Sequence, residues 1–97
     1  MSSYRITLTV GRLEPGVAPD AVLPAAADAA STLAVVEARD LAVVSGEARI
    51  TVRYTADDDG AAARVADHVV TWMPSVAEVS RPRLLRRDGG RWTPLPF

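Results

Sequence analysis

The stretch AVVEARDLAVVSGEARITVRYT, residues 34–55, decides the fold because it holds two apolar runs joined by Ser45-Gly46. From residue 48 to residue 55, apolar and polar side chains alternate, which predicts a strand with one buried and one solvent-facing side. Ser-Gly between two such runs predicts a tight turn, since glycine readily takes the positive φ that the turn requires. The stretch is therefore predicted to form a β-hairpin.

The first strand of this hairpin needs an irregularity. A two-residue turn aligns apolar residues near the turn, but strict alternation further back would bury Glu37 and Arg39. One extra residue at Arg39-Asp40 shifts the side-chain phase by one. We therefore predict a β-bulge there, which places Glu37 across from Arg53 on the open face, a pair that contributes at most about 1 kcal/mol.

Further strands and helices are expected on either side of the hairpin. Residues 4–10 alternate in the same way as residues 48–55 and predict a neighbouring strand. The segments 21–33 and 61–73 carry apolar residues at three- and four-residue spacing, which predicts two helices. Residues 76–87 predict the last main strand, at a sheet edge because Pro82 cannot donate to a ladder.

This order of elements indicates the fold class. A β-α-β-β-α-β chain is typical of the ferredoxin-like α+β fold, with a four-stranded antiparallel sheet, both helices on one face and the other face open. We expect residues 1–87 to form this domain and residues 88–97 a C-terminal arm, or a hairpin if residues 91–95 fold back. The fold serves many unrelated functions, so it indicates no activity by itself.

The composition limits the classes of function. Ninety-seven residues, 48% of them hydrophobic but only 5% aromatic, allow one thin core. The net charge of −1 gives no general attraction to nucleic acid or membrane, and no apolar run approaches the roughly 20 residues that span a bilayer. No signal-peptide pattern opens the sequence, so we expect a cytoplasmic protein. All eleven basic residues are arginine, which is typical of a high-GC bacterial genome.

No catalytic, cofactor or metal site is predicted. The chain has no cysteine and a single histidine, His68, which argues against zinc or copper. Asp57-Asp58-Asp59-Gly60 resembles the start of a calcium loop, but His68 occupies the twelfth position, where an EF-hand needs glutamate. The aspartates are better explained as stabilising the start of the second helix.

Two surfaces are candidates for binding. The open face carries Arg5, Arg49 and Arg53 among threonines and could hold a phosphate or a carboxylate, whereas RNA is disfavoured because no aromatic residue points outward from the central strands. The last 17 residues hold five arginines and one acid, whereas the preceding 80 hold six arginines and eleven acids. The predicted interface residues are Arg83, Arg86, Arg87, Arg91, Trp92, Leu95 and Phe97.

The loop Leu13-Glu14-Pro15-Gly16-Val17 resembles the Asp-x-Pro-Gly-hydrophobic loop that follows the first strand of ACT domains. The resemblance covers this loop and the order of elements. It implies a regulatory module that binds an amino acid at Gly16, near a subunit interface. By size the chain is also similar to small dimeric ferredoxin-like monooxygenases, in which Tyr54 and Trp72 would line a pocket.

These observations predict a small non-catalytic domain that works as a homodimer or with another protein partner. The large apolar residues of the tail need a surface to cover, and a twofold dimer is the commonest closed assembly. An ACT-like small-ligand module and a cofactor-independent enzyme of the dimeric ferredoxin-like type are the alternatives.

Overall fold

Five antiparallel strands and two α-helices make up the chain in a computed structural model that describes residues 1–97. The elements are β1 (Ser2–Leu13), α1 (Val22–Ser31), β2 (Val36–Val44), β3 (Glu47–Ala56), α2 (Asp59–Trp72), β4 (Ala77–Asp88) and β5 (Arg91–Leu95). Short 3-10 turns precede α1 and follow α2, at Pro19–Ala21 and Met73–Ser75. The strand order is β2-β3-β1-β4-β5, so β1 lies at the centre of the sheet. The α+β class is confirmed.

The expected four-stranded sheet has a fifth strand, because the chain turns back after β4 and pairs with it. Gly89 has a φ of 61°, which suits the turn, and β5 pairs from Arg91 opposite Asp88 to Leu95 opposite Leu84. β4 is therefore an inner strand, and its predicted edge position was wrong. Pro82 is tolerated because it lies before the segment that pairs with β5 and at an irregularity in the β1–β4 ladder.

The predicted hairpin is confirmed. Ser45 and Gly46 have φ angles of 53° and 79°, as a two-residue turn with two positive φ values requires. The register places Val43 opposite Ala48, as matching apolar faces near the turn required.

The bulge in β2 lies earlier than predicted. The register shifts between Val36 and Ala38 and not at Arg39-Asp40, so Ala38 and not Val36 points to the open face. Nearly all of β2 lies outside the core. Burial of Ala38 therefore does not stabilise the predicted register relative to the observed one. Ala38 and not Glu37 lies opposite Arg53, but the ion pair itself is confirmed, with Arg53 Nε 3.4 Å from Glu37 Oε1.

The core lies between one face of the sheet and both helices. Alternation in β1 and β3 buries six large side chains: Tyr4, Ile6, Leu8, Ile50, Val52 and Tyr54. The helices contribute small side chains, and Ala26, Ala30, Ala62 and Ala66 are fully buried. α1 ends at Ser31, so Leu33 is 57% exposed and does not join the predicted buried stripe. Neither helix is long and apolar enough to cross a membrane.

Two buried tyrosines tie the sheet to α2. The Tyr54 hydroxyl donates to the carbonyl oxygen of Ala62 at 2.7 Å, and the Tyr4 hydroxyl donates to Asp59 Oδ1 at 2.8 Å. Their rings stack with centroids 6.3 Å apart. The N-terminus of α2 is capped by Asp58, which accepts from the Ala61 amide at 2.7 Å, so the predicted capping role of the aspartate run is confirmed.

These tyrosines make stability sensitive to alkaline pH. Burial, and then the hydrogen bond to Asp59, raise the pKa of Tyr4 to about 12, and burial raises the pKa of Tyr54 well above its ordinary value. Because the folded state favours the neutral phenol, this stability is complete below pH 10 and is lost as the pH rises toward 12. We expect the free energy of unfolding to fall across this range, and to fall less steeply in Tyr4→Phe.

The measurement is denaturant unfolding between pH 8 and pH 12, with tyrosinate absorbance at 295 nm followed in parallel. At neutral pH, Tyr4→Phe should cost about 1 kcal/mol for the lost hydrogen bond. Titration of both phenols near pH 10 in the folded protein would contradict the expectation.

Candidate functional site: the open face and the β2 edge

The open face of the sheet brings three arginines together. Arg5 on β1 lies directly opposite Arg53 on β3, and Arg83 on β4 lies opposite Thr7, which in turn lies opposite Thr51. We call Arg5, Arg53 and Arg83 the cationic cluster. Since directly opposite residues share a face of the sheet, the three guanidinium groups flank two threonine hydroxyls.

Trp92 reaches over this cluster from β5. The Cζ atom of Arg5 lies 4.3 Å from the centroid of the indole ring, and that of Arg53 lies 5.5 Å from it. Leu85, which lies between Arg5 and Pro94 in the register, is buried on the same side. The last strand thus covers part of its own open face with an aromatic ring, whose π face attracts both guanidinium groups.

The cationic cluster is short of negative charge. Burial lowers the pKa of Arg5, and the charges of Arg83 and Arg53 lower it further. The buried Nε atoms of Arg5 and Arg53 have no hydrogen-bond partner, although Glu37 is within ion-pair distance of Arg53. A cavity of about 240 Å³ adjoins the cluster and is lined also by Asp40 and Thr51. The cluster and its surroundings thus hold more positive than negative charge.

The β2 edge is the second surface. Its outward side chains include Leu41, Val43 and Val44, which are 47%, 71% and 37% exposed. No strand pairs with its outer side, and β2 runs for nine residues without a proline. The opposite edge, formed by β5, has only five residues, and one of them is Pro94. Such a short, proline-containing strand is protected against further pairing, whereas residues 41–44 of β2, beyond its bulge and its charged residues, have no such protection.

Most of the predicted interface residues contact their own chain. Arg86 donates to Asp59 at 2.7 Å and to Asp88 at 3.0 Å, and with Thr93 it holds the pKa of Asp88 below its ordinary value. Arg87 donates to the carbonyl oxygen of Gly89. The remaining ones differ in their surroundings: Leu95 packs against the core, Phe97 is 47% exposed, and Arg83 and Arg91 have no ion-pair partner. Their part in an interface stays a prediction.

The predicted ligand residues do not form one site. Gly16, with a φ of 84°, lies in an exposed turn closed by a bond from the Val17 amide to the Glu14 carbonyl. About 27 Å of extended strand separates Arg5 from the end of β1 that leads into this turn. Arg49 is exposed on β3 opposite Ala42 and has no ion-pair partner. Only Arg5 and Arg53 of the predicted set lie side by side.

The residues considered for catalysis are separated. Tyr54 is fully buried and Trp72 is 45% exposed, and neither lines any of the four main cavities. The largest of these, about 500 Å³, lies where the end of α1 faces the start of α2. His68 Nε2 is 3.1 Å from the Thr32 hydroxyl, with no carboxylate partner. No group of three or more His, Cys, Asp or Glu side chains is placed to hold a metal ion.

The sequence alone did not reveal that Trp92 and Arg83 join the open face. Residues 83–87 read Arg-Leu-Leu-Arg-Arg and do not alternate as the residues of β1 do, so the sequence pattern did not show which side chains of β4 face outward. The predicted alternative of a hairpin, with residues 91–95 folding back, is confirmed, but the sequence did not show that this return strand brings an indole over Arg5. The missed residues are thus those whose position depends on β5.

Comparison with known proteins does not identify a function for these surfaces. No family model, no curated protein and no solved structure matches the chain. The two surfaces are therefore the basis for the function of this chain.

Proposed function

We propose that this chain is a non-catalytic interaction domain that forms a homodimer through the β2 edge. The observation that carries the proposal is a nine-residue edge strand that combines an open backbone with exposed Leu41 and Val43. An exposed, apolar edge of this length invites pairing or aggregation unless a partner covers it. A second copy of the chain is a partner that supplies a matching edge.

The backbone of β2 is arranged for such pairing. The turn bond of the hairpin joins Val44 and Glu47, which are opposite each other. In an antiparallel ladder, hydrogen-bonded pairs alternate with non-bonded pairs. The N–H and C=O groups of Leu41 and Val43 therefore point away from β3, toward the free edge.

One register uses these groups well. Two copies of β2 can pair antiparallel about a twofold axis at Leu41, so that Leu41 meets Leu41 of the partner subunit and Val43 meets Arg39 of the partner subunit. All of these residues lie on the helix-facing side of the sheet, as their partners on β3 do. The register gives about six backbone hydrogen bonds between the subunits. It joins the two sheets into one.

Charge is complementary in this register. Asp40 of the partner subunit falls opposite Ala42, and Arg49 on β3 lies opposite Ala42 from the other side. The small alanine lets the carboxylate and the guanidinium approach each other above it. Arg49 has no ion-pair partner within its own chain, so the dimer would give it one, although an exposed pair of this kind contributes only about 0–1 kcal/mol.

The C-terminal arm is a weaker basis for the interface than the sequence indicated. Trp92 stacks on Arg5, Leu95 packs against the core and Arg86 is held by two aspartates. These side chains already have partners within the chain. Leu41 and Val43 on the β2 edge have no such partners, so we propose the dimer contact there.

The fold assignment belongs to this proposal as well. The order β2-β3-β1-β4, with α1 and α2 packed on one face, supports a ferredoxin-like domain to which β5 adds a further edge strand. In this description β5 protects one side of the sheet. The dimer protects the other.

Val43→Pro tests the proposed dimer. Proline removes an N–H that points toward the partner but takes none from the β2–β3 ladder, so the subunit should keep its fold. We expect the wild-type chain to have twice the monomer mass by light scattering at low and high salt, and Val43→Pro to have the monomer mass.

Leu33→Lys is the matched control for Leu41→Lys. Both leucines are about half exposed, at 57% and 47%, but only Leu41 lies on the β2 edge. Leu41→Lys should give monomers and Leu33→Lys should leave the dimer intact. A wild-type monomer at high concentration, or a dimer that survives Val43→Pro, would overturn the proposal.

A further inference from the structure

We propose that the cationic cluster on the open face binds the phosphate group of a small phosphomonoester. The site consists of the guanidinium groups of Arg5, Arg53 and Arg83 around the hydroxyls of Thr7 and Thr51. Its guanidinium groups lie on β1, β3 and β4 and take no part in the proposed dimer, although Arg39 and Asp40 of β2 line the cavity beside it.

The cationic cluster lacks a full set of counter-ions. Arg5 and Arg53 are directly opposite each other, and Arg83 is close enough for its charge to act on Arg5. Neither Arg5 nor Arg83 has an ion pair or a side-chain hydrogen bond within the chain, whereas Arg86 and Arg81 have both. Like charges this close cost stability, and a bound dianion would reverse the sign of the effect.

The hydrogen-bond donors of the cluster are fixed in place. The indole of Trp92 covers the Arg5 guanidinium at 4.3 Å, which restricts its rotation on an otherwise open sheet. Arg53 is oriented by Glu37, which in turn accepts a hydrogen bond from the Ser3 hydroxyl at 2.7 Å. Planar guanidinium groups held in this way match the oxygens of a phosphate better than mobile ammonium groups do.

The surroundings favour a small ligand over nucleic acid. The cavity beside the cluster measures about 240 Å³ and is bordered by Asp40, and Glu37 lies next to Arg53. A polyanion would have to pass both carboxylates, and it would find only one aromatic side chain, Trp92, on this face. A single phosphate on a small organic group fits between them.

Titration with inorganic phosphate and with glycerol 2-phosphate tests the site. Binding is followed by calorimetry at constant ionic strength, and by fluorescence in a Trp72→Phe background, where Trp92 is the only tryptophan. We expect saturable binding of both compounds, about tenfold weaker in Arg53→Gln and in Arg5→Gln because each loses charged hydrogen bonds. Glu37→Gln should bind more tightly.

Arg12→Gln is the control, because it removes the same charge from an exposed position near the far end of β1. It should bind like the wild-type chain. If Arg5→Gln does not fold, Arg83→Gln replaces an exposed side chain at the rim of the same cluster and tests the same claim. Val43→Pro should bind phosphate as the wild type does, so this site and the dimer can fail separately.

Three outcomes would overturn the proposal. The first is no saturable binding of phosphate by the wild-type chain. The second is an equal affinity for Arg12→Gln and both cluster variants, which would indicate general charge screening. The third is tighter binding of a single-stranded RNA oligonucleotide than of glycerol 2-phosphate, with affinity rising with its length, which would assign the face to nucleic acid.

Discussion

Leu84→Ala is expected to lower the free energy of unfolding by about 2–5 kcal/mol. The side chain is 1% exposed, and it lies between Ile6 on β1 and Leu95 on β5. Few large residues fill this core, and the neighbouring helices present alanines that cannot move into the space. The cavity left by the substitution should therefore stay open. Chemical denaturation of both proteins measures the difference.

Leu33→Ala is the matched control because Leu33 is 57% exposed. Its effect should stay within about 0.5 kcal/mol, as for most surface substitutions. A small domain has only about 5–15 kcal/mol of stability in total, so Leu84→Ala should also lower the melting temperature by many degrees. Equal losses in the two variants would contradict the assignment of Leu84 to the core.

Ala66→Leu is the second large effect, and it acts by overfilling. Ala66 on α2 is fully buried, as is Ala30 on α1, and the two helices pack side by side over the sheet. A leucine side chain at 66 must push the helix away or take a strained rotamer, at a cost of about 1–3 kcal/mol. A loss of stability in Ala66→Leu would indicate overfilling, because adding apolar surface to a helix otherwise favours folding.

Ala63→Leu separates packing from helix propensity. Ala63 lies on the same helix but is only half-buried, and leucine has nearly the helix propensity of alanine. Ala63→Leu should be close to neutral while Ala66→Leu is destabilising. If both variants are equally stable, the helices are not in close contact at position 66.

Alternation along β1 and β3 is the feature that sequence reasoning used best. Residues such as Ile6 and Val52 predicted buried positions because a pleated strand places alternate side chains on opposite faces. The turn at Ser45-Gly46 followed from backbone sterics alone. Both signals are local, so they could be read without the rest of the chain.

Positions that depend on other parts of the chain were predicted less well. The bulge in β2 was predicted at Arg39-Asp40, but it lies between Val36 and Ala38, so Ala38 points to the open face and is exposed. Pro82 indicated an edge, and only the return of β5 along the rest of β4 makes that strand internal. These outcomes depend on long-range packing, which the local pattern does not contain.

The residues of the candidate sites also differ in whether the local sequence pattern could predict their positions. Arg5 and Arg53 could be placed side by side because both follow the alternation of their strands. Trp92 could not, since its position over Arg5 depends on β5 crossing to the edge of the sheet. The β2 edge could not be identified either, because exposure of Leu41 and Val43 results from the short reach of α1.

The unequal edges of the sheet set a limit on assembly. A unit with two receptive edges can add copies without end, which is how strands build fibres. Pro94 and the shortness of β5 leave this chain with one receptive edge, so each chain can accept only one further strand. In the proposed dimer, copies joined through β2 have no free edge left, and growth ends at the pair. A chain in which residues 91–97 were lost would expose the backbone of residues 84–88 on β4, so it would have a second unpaired edge.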